Sequence, residues 1–158
     1  MLIQFQEYLT FENIYLWTTL GILPFWLMLI LIPNSWFTQF FINSIILPLI
    51  LSALYIYVVY HSILTYVDIS EFFKLYLSLD NLYTIFSTEP FLLIFWLHFI
   101  TLNLFLGSWI SRDGFKNNMS RALVFIPLIF VFFIGPLGLV LYWIIRIFYA
   151  KRLSFHDW

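Results

Sequence analysis

Long apolar stretches separated by short polar punctuation dominate the chain. No Asp, Glu, Lys or Arg occurs from Asn13 to Val67, from Pro90 to Ser111 or from Ala122 to Ile145. A helix rises 1.5 Å per residue and needs about 20 mainly apolar residues to cross the roughly 30 Å hydrocarbon core of a bilayer. The second and third stretches each suit one crossing, and the first is long enough for two. Within the first, Leu31-Ile32-Pro33-Asn34-Ser35 closes an apolar run with turn residues, and Trp36-Phe37-Thr38-Gln39 has interfacial character. The pattern predicts four spans, at about residues 13–32, 44–67, 90–110 and 122–148. A β-barrel would need alternating apolar and polar positions over at least eight strands, whereas these runs are continuous. The expected fold class is all-α: a single transmembrane domain over residues 1–158, built as an integral membrane four-helix bundle. A short interfacial helix is expected between spans 2 and 3, where Glu71–Leu77 mixes apolar residues with two charges.

Composition sharpens this reading. Hydrophobic residues make up 63% of the 158, aromatic residues 23% and charged residues 9%. An ordinary soluble domain is about 45–50% apolar and about 25% charged. One globule of this length buries only about 70% of its unfolded surface and cannot hide the excess, so a soluble domain is excluded. Disorder is excluded by the same hydrophobicity. The net charge of −1 gives no footprint for nucleic acid. The absence of cysteine removes disulfides, zinc–thiolate sites, iron–sulfur clusters and thiol catalysis. Met1–Glu12 has neither a basic region nor a small-residue cleavage site, so no secretory signal is expected there, nor an Arg/Ser-rich presequence. Orientation stays open. Four spans would put Lys74, Arg146, Lys151 and Arg152 on one side and Arg112, Lys116 and Arg121 on the other, which is no bias.

The polar and helix-breaking residues inside the spans are the candidates for chemistry. Pro24, Pro48, Pro127 and Pro136 fall within spans, where each removes a backbone donor. Gly135-Pro136-Leu137-Gly138 permits either a packing kink or a helix opened to line a pocket. His61 and His98 are ionisable groups deep in spans 2 and 3, at similar depth. They suit a haem, a chlorophyll magnesium or a polar patch around an oxygenated ligand, and equally a hydrogen bond to a neighbouring helix. On span 3, Trp96, Asn103 and Gly107 fall near one line, while His98, Thr101, Phe105 and Trp109 fall on another. Two marked faces suit a helix packed on both sides. Arg146 is near enough to the end of span 4 to snorkel. Trp17, Trp36, Trp109 and Trp143 suit an aromatic belt, and Tyr55, Tyr57 and Tyr60 a pigment or lipid site. There is no GxSxG, HExxH, P-loop or GxGxxG motif, so hydrolase and nucleotidase chemistry has no support.

Trp96-Leu97-His98 followed by Asn103-Leu104-Phe105-Leu106-Gly107-Ser108-Trp109 resembles the central signature of the ABA4-like (abscisic acid-deficient 4-like) membrane family. Gly135-Pro136-Leu137-Gly138-Leu139 is similar to that family's closing motif, and Leu23-Pro24-Phe25-Trp26 with Pro33 to its opening segment. The resemblance covers roughly residues 13–142. It implies a multi-pass integral membrane protein of carotenoid (xanthophyll) metabolism or handling, in a thylakoid or plastid membrane or a bacterial inner membrane. The plant member is needed for neoxanthin formation, in which an epoxy-carotenoid is rearranged to an allenic one. This chain carries Asn103 where the family commonly has Asp, and an amide does not titrate. The family's loop acid and base correspond to Arg112-Asp113 and Arg121.

The candidate catalytic residues are therefore His98, Asn103, Asp113 and Arg121, and the candidate pigment-binding residues His61, His98, Trp96, Trp109 and Tyr57. Expected partners are membrane lipid and carotenoid, the latter as substrate or bound pigment, with no nucleic acid. A reading from another class stands beside this one: a small structural or pigment-binding subunit of a larger photosynthetic membrane complex.

Overall fold

A computed structural model describes residues 9–65 and 73–150. These form α1 (Phe11–Leu31), a π-helical turn (Thr38–Ile42), α2 (Ile46–Thr65), α3 (Leu79–Phe86), α4 (Glu89–Lys116), α5 (Arg121–Phe133) and α6 (Gly135–Ala150), with no strand among the described residues. The all-helical class expected from the sequence is observed. Helices α1 and α4 are long and apolar enough to cross a membrane, while Ile46–Ser62 of α2, α5 and α6 are shorter apolar stretches.

The expected interfacial helix at 71–77 lies partly outside the described residues. Its described part is a helical end and a turn, with Tyr76 N–H donating to Phe73 O and Leu77 N–H to Lys74 O. The short helix is α3 instead. Ser78 caps it, its Oγ accepting from Asn81 N–H at 3.2 Å, as a polar N-cap does for an orphan donor. Ile85 faces inward and Leu79 and Tyr83 face outward.

Two of the four span prolines cost no hydrogen bond. Pro48 and Pro136 sit in the first turns of α2 and α6, where the N–H has no intrahelical partner to lose. Pro24 and Pro127 are interior to α1 and α5.

The chain divides into two compact units, one of residues 1–22 and 49–101 and the other of residues 23–48 and 102–158. In the first, α1 and α4 lie side by side in the same sense. Tyr15 packs on Trp96 at 5.7 Å, and Trp96 Nε1 donates to Thr19 Oγ1 at 2.8 Å. Ile14, Ile22, Val58 and Leu97 are buried there. The buried hydroxyls of Thr18 and Ser62 return their donors to Ile14 O and Val58 O, one turn back on their own helices.

The second unit holds the main departure from expectation. The predicted single span at 122–148 is two helices folded back on each other. Ile134 leaves the helical region, at φ −144° and ψ 84°. Along one continuous helix, residues 127 and 138 would stand about 16 Å apart. Here a Cβ placed on Gly138 would come within 2.7 Å of Pro127 O and would collide with the backbone N of Val131. Only a hydrogen at that position lets α6 lie against α5. The direction follows from α4. Asn103 meets Gly135, Trp109 meets Tyr142 and Asp113 meets Arg146, so α6 runs parallel to α4 and α5 antiparallel to it. The hairpin turns level with Asn103, near the middle of α4.

Helix α4 also outruns its predicted end at about 110. It closes in a Schellman motif, with Met119 N–H donating to Gly114 O, Asn118 N–H to Phe115 O, and Asn118 at φ 52°. Arg112 and Asp113, expected in a loop, are therefore helical.

Replacing Gly138 by Ala forces backbone apart and is expected to lower stability by roughly 1–3 kcal/mol. Gly21→Ala, at a helical site with nothing within 4 Å, is expected to be neutral or to stabilise by up to about 1 kcal/mol. Thermal unfolding in mild detergent measures both. Equal effects at the two sites would contradict the hairpin packing.

Candidate functional site

The densest polar constellation in the second unit joins α4 to α6. Tyr142 and Arg146 are four residues apart on one face of α6, and both reach Asp113 on α4. Tyr142 OH and Arg146 Nε each donate to Asp113 Oδ2 at 2.6 Å, and Arg146 Nη2 donates to Asp113 Oδ1 at 3.3 Å. The Arg146 guanidinium lies over the Trp143 ring, 5.1 Å from its centre, and Trp143 stacks on Trp109. Gly114 makes room, since a Cβ there would collide with Val124. Arg146 is 5% exposed. It does not snorkel to water, as its place near the end of a span suggests, because Asp113 neutralises it and the fork geometry satisfies two donors. The pair presents zero net charge to its surroundings. Its carboxylate accepts from three donors, and these bonds fasten α4 to α6.

Further along α4 the polar groups are less complete. Asn103 packs against Gly135 at the hairpin turn, and its Nδ2 is buried without a partner. Asn43 Nδ2 is likewise buried without a partner, while Asn43 Oδ1 accepts from Ser108 at 3.4 Å and Asn43 O from Arg112 Nη1 at 3.0 Å. Both orphans are donors, so both call for an acceptor oxygen. Gly107 packs on Trp26, where a Cβ would stand 2.7 Å from the ring.

The first unit offers different chemistry. Trp96 lines a cavity of about 460 Å³ with Phe11, Tyr15, Leu92 and two carboxylates, Glu12 and Glu89. These acids occupy the first turns of α1 and α4, where negative charge suits the helix dipole.

Of the predicted residues, Trp96 and Asn103 are at packed sites, and Asp113 and Trp109 belong to the Arg146 cluster. Arg121, the first residue of α5, is exposed and lines a separate cavity. His61 and His98 both lie outward. His61 contacts Phe11 and Tyr57, and His98 contacts Tyr55. Tyr55 precedes His61 by six residues, roughly 9 Å along α2, so the two imidazoles sit in separate ring contacts at different levels. Tyr57 is 38% and Tyr60 64% exposed. The two-faced packing expected for span 3 is observed only in part: Asn103 and Gly107 are buried and Trp109 packs on Tyr142 and Trp143, whereas His98 and Phe105 are exposed. Among the described residues no group of three or more His, Cys, Asp or Glu is placed to hold a metal. The sequence reading did not anticipate Tyr142, Arg146, Asn43, Glu12 or Glu89. The spacing of Tyr142 and Arg146 was the available signal, and it meant nothing until the hairpin brought Asp113 to it.

These features define a class: an apolar all-helical protein whose buried charges are satisfied internally and whose last two helices form a hairpin. The chain belongs to the ABA4-like family, described as ABA DEFICIENT 4-like, whose profile matches residues 13–142. It is 27% identical over 133 residues to Protein ABA DEFICIENT 4, chloroplastic, of Arabidopsis thaliana, a match that covers 81% of this chain. The chain spans 58% of that relative's length. No solved structure matches it.

Removing one member of the buried pair strands the other. Arg146→Met is expected to destabilise by roughly 3–5 kcal/mol, and the double variant Asp113→Leu/Arg146→Met to recover most of that loss. Chemical unfolding in detergent measures both. A double variant no better than the single one would show that the pair acts through packing alone.

Proposed function

We propose that this chain is a multi-pass membrane protein that acts on, or holds, oxygenated carotenoid. The observation that carries the reading is the family match over residues 13–142, which spans Gly107, Asn103 and Gly138, the positions where close packing builds the second unit. The charge distribution supports a membrane setting with a re-entrant hairpin. A hairpin that turns at the middle of α4 and returns leaves both its ends beside the C-terminal end of α4. That arrangement gathers Arg112, Lys116, Arg121 and Arg146 at one end, with Lys151 and Arg152 directly following α6 in the chain. Among the described residues, Arg112, Lys116 and Arg121 then share one face with the neutralised Arg146–Asp113 pair, and the positive-inside rule makes that face cytoplasmic or stromal.

The chemistry proposed for the site is acid–base rearrangement of an epoxy-carotenoid in the cavity beside Trp96. Opening an epoxide to an allenic alcohol is an isomerisation. A carboxylic acid protonates the epoxide oxygen, the C–O bond breaks, and a carboxylate removes a proton from carbon. Glu12 and Glu89 supply one group for each role, and Trp96, Tyr15 and Phe11 supply the flat apolar wall. Asp113 is unsuited to either role because three hydrogen bonds already claim it. The plastid address of the Arabidopsis relative supports a plastid membrane for this chain.

The test is expression in a host that accumulates violaxanthin, with pigments resolved by chromatography. An allenic product, reduced at least tenfold in Glu12→Gln and in Glu89→Gln, is the expected result, at the low end of a general acid–base contribution of about 10²–10⁴ shared between two groups. No product and no bound carotenoid, with the chain migrating only in a larger complex, would overturn the reading in favour of a structural subunit.

A further inference from the structure

Two cavities of the second unit lie next to each other along α1 and α5, sharing Ile30 and Phe125 as walls. One, of about 350 Å³, is walled at its polar end by Asn34, Ser111, Asn118, Ser120 and Arg121. The other, of about 370 Å³, is wholly apolar, with Leu23, Leu27, Ile129 and Phe133 among its walls. The order of residues gives the direction: the polar cavity takes the start of α5, and the apolar one its end and the middle of α1. From Arg121 to Phe133 is about 18 Å along α5, close to the roughly 15 Å depth of one leaflet of a bilayer.

We infer that this groove binds one anionic membrane lipid, its headgroup on Arg121 and the neighbouring amides and hydroxyls, and one acyl chain running along α5 to the hairpin turn. The charge selects the occupant. Among the described residues, Arg121 is the one ionisable side chain on the wall, and no carboxylate lines either cavity. A phosphate head is matched by a guanidinium, two Asn amides and two Ser hydroxyls, while a neutral rod would leave the guanidinium without a counter-charge. The length selects it too. The groove ends where the hairpin turns, at half the membrane's depth, so it suits a molecule one leaflet long rather than one that spans the bilayer. The inference shares the membrane setting with the proposed function but is independent of any carotenoid chemistry, which lies in the other unit.

The experiment uses the full chain, delipidated in a nonionic detergent. Phosphatidylglycerol, phosphatidylcholine with the same acyl chains, and inorganic phosphate are added separately. Thermal unfolding and native mass spectrometry give the readouts. Phosphatidylglycerol is expected to raise the melting temperature and to remain bound, phosphatidylcholine to bind more weakly, and inorganic phosphate to do nothing. Arg121→Gln is expected to weaken phosphatidylglycerol roughly fivefold, as for the loss of one cation beside a headgroup. Ile129→Trp, which fills the apolar end, is expected to abolish binding, and Leu27→Trp does the same from the opposite wall should the first variant fold poorly. Equal protection by the two phospholipids, no effect of Arg121→Gln, protection by phosphate alone, or displacement of phosphatidylglycerol by an uncharged xanthophyll would each overturn the assignment.

Discussion

The second unit depends on one close approach, the meeting of Gly138 with the backbone of Val131 and Pro127. A side chain of any size at that position would hold α5 and α6 apart. With hydrogen there, Ile134 can leave the helix and Pro136 can open the next one without losing a bond. The hairpin then sets everything downstream. It brings Tyr142 and Arg146 to Asp113, seats Gly135 on Asn103, and leaves a groove beside α1. None of these contacts exists in a straight helix from 122 to 148.

Buried charge plays a complementary part. Arg146 sits at the open end of the hairpin, far from the turn, and its pairing with Asp113 fastens that end to α4 while the glycine contact fastens the other. A guanidinium without its carboxylate would be expensive in so apolar a setting, so the pair specifies register: sliding α6 by one turn would strand both groups. Trp109 and Trp143, which sequence position assigns to an interfacial belt, flank this pair instead.

Much of this was legible before the structure. The neutral runs locate α1, α2 and α4 because uninterrupted apolar length has few other uses. The Gly-Pro-x-Gly segment marked the site of the break. Its geometry was not legible, because hydropathy measures only how apolar a stretch is, and a folded-back pair is as apolar as a single rod. A single crossing over residues 122–148 puts Arg146 and Asp113 on opposite faces, lets Arg146 snorkel and divides the cations without bias. The histidines are conspicuous for a different reason. In an apolar run an ionisable group stands out, yet His61 and His98 occupy outward faces, His61 against Phe11 and Tyr57 and His98 against Tyr55, while Glu12 and Glu89 stand at helix starts, where acids are ordinary. The family resemblance, by contrast, rested on order and spacing along the whole chain and was matched over residues 13–142.

The central claim is that α5 and α6 enter and leave on one face. The natural chain has no cysteine, so single cysteines can be introduced at Ser87, before α4, at Ser120, before α5, and at Ala150, at the end of α6. A membrane-impermeant maleimide applied to sealed vesicles reports which face each occupies. The hairpin predicts that positions 120 and 150 label from the same side and position 87 from the other. Labelling of 87 and 150 from one side, with 120 opposite, would mean that the last segment crosses the membrane and would contradict the account.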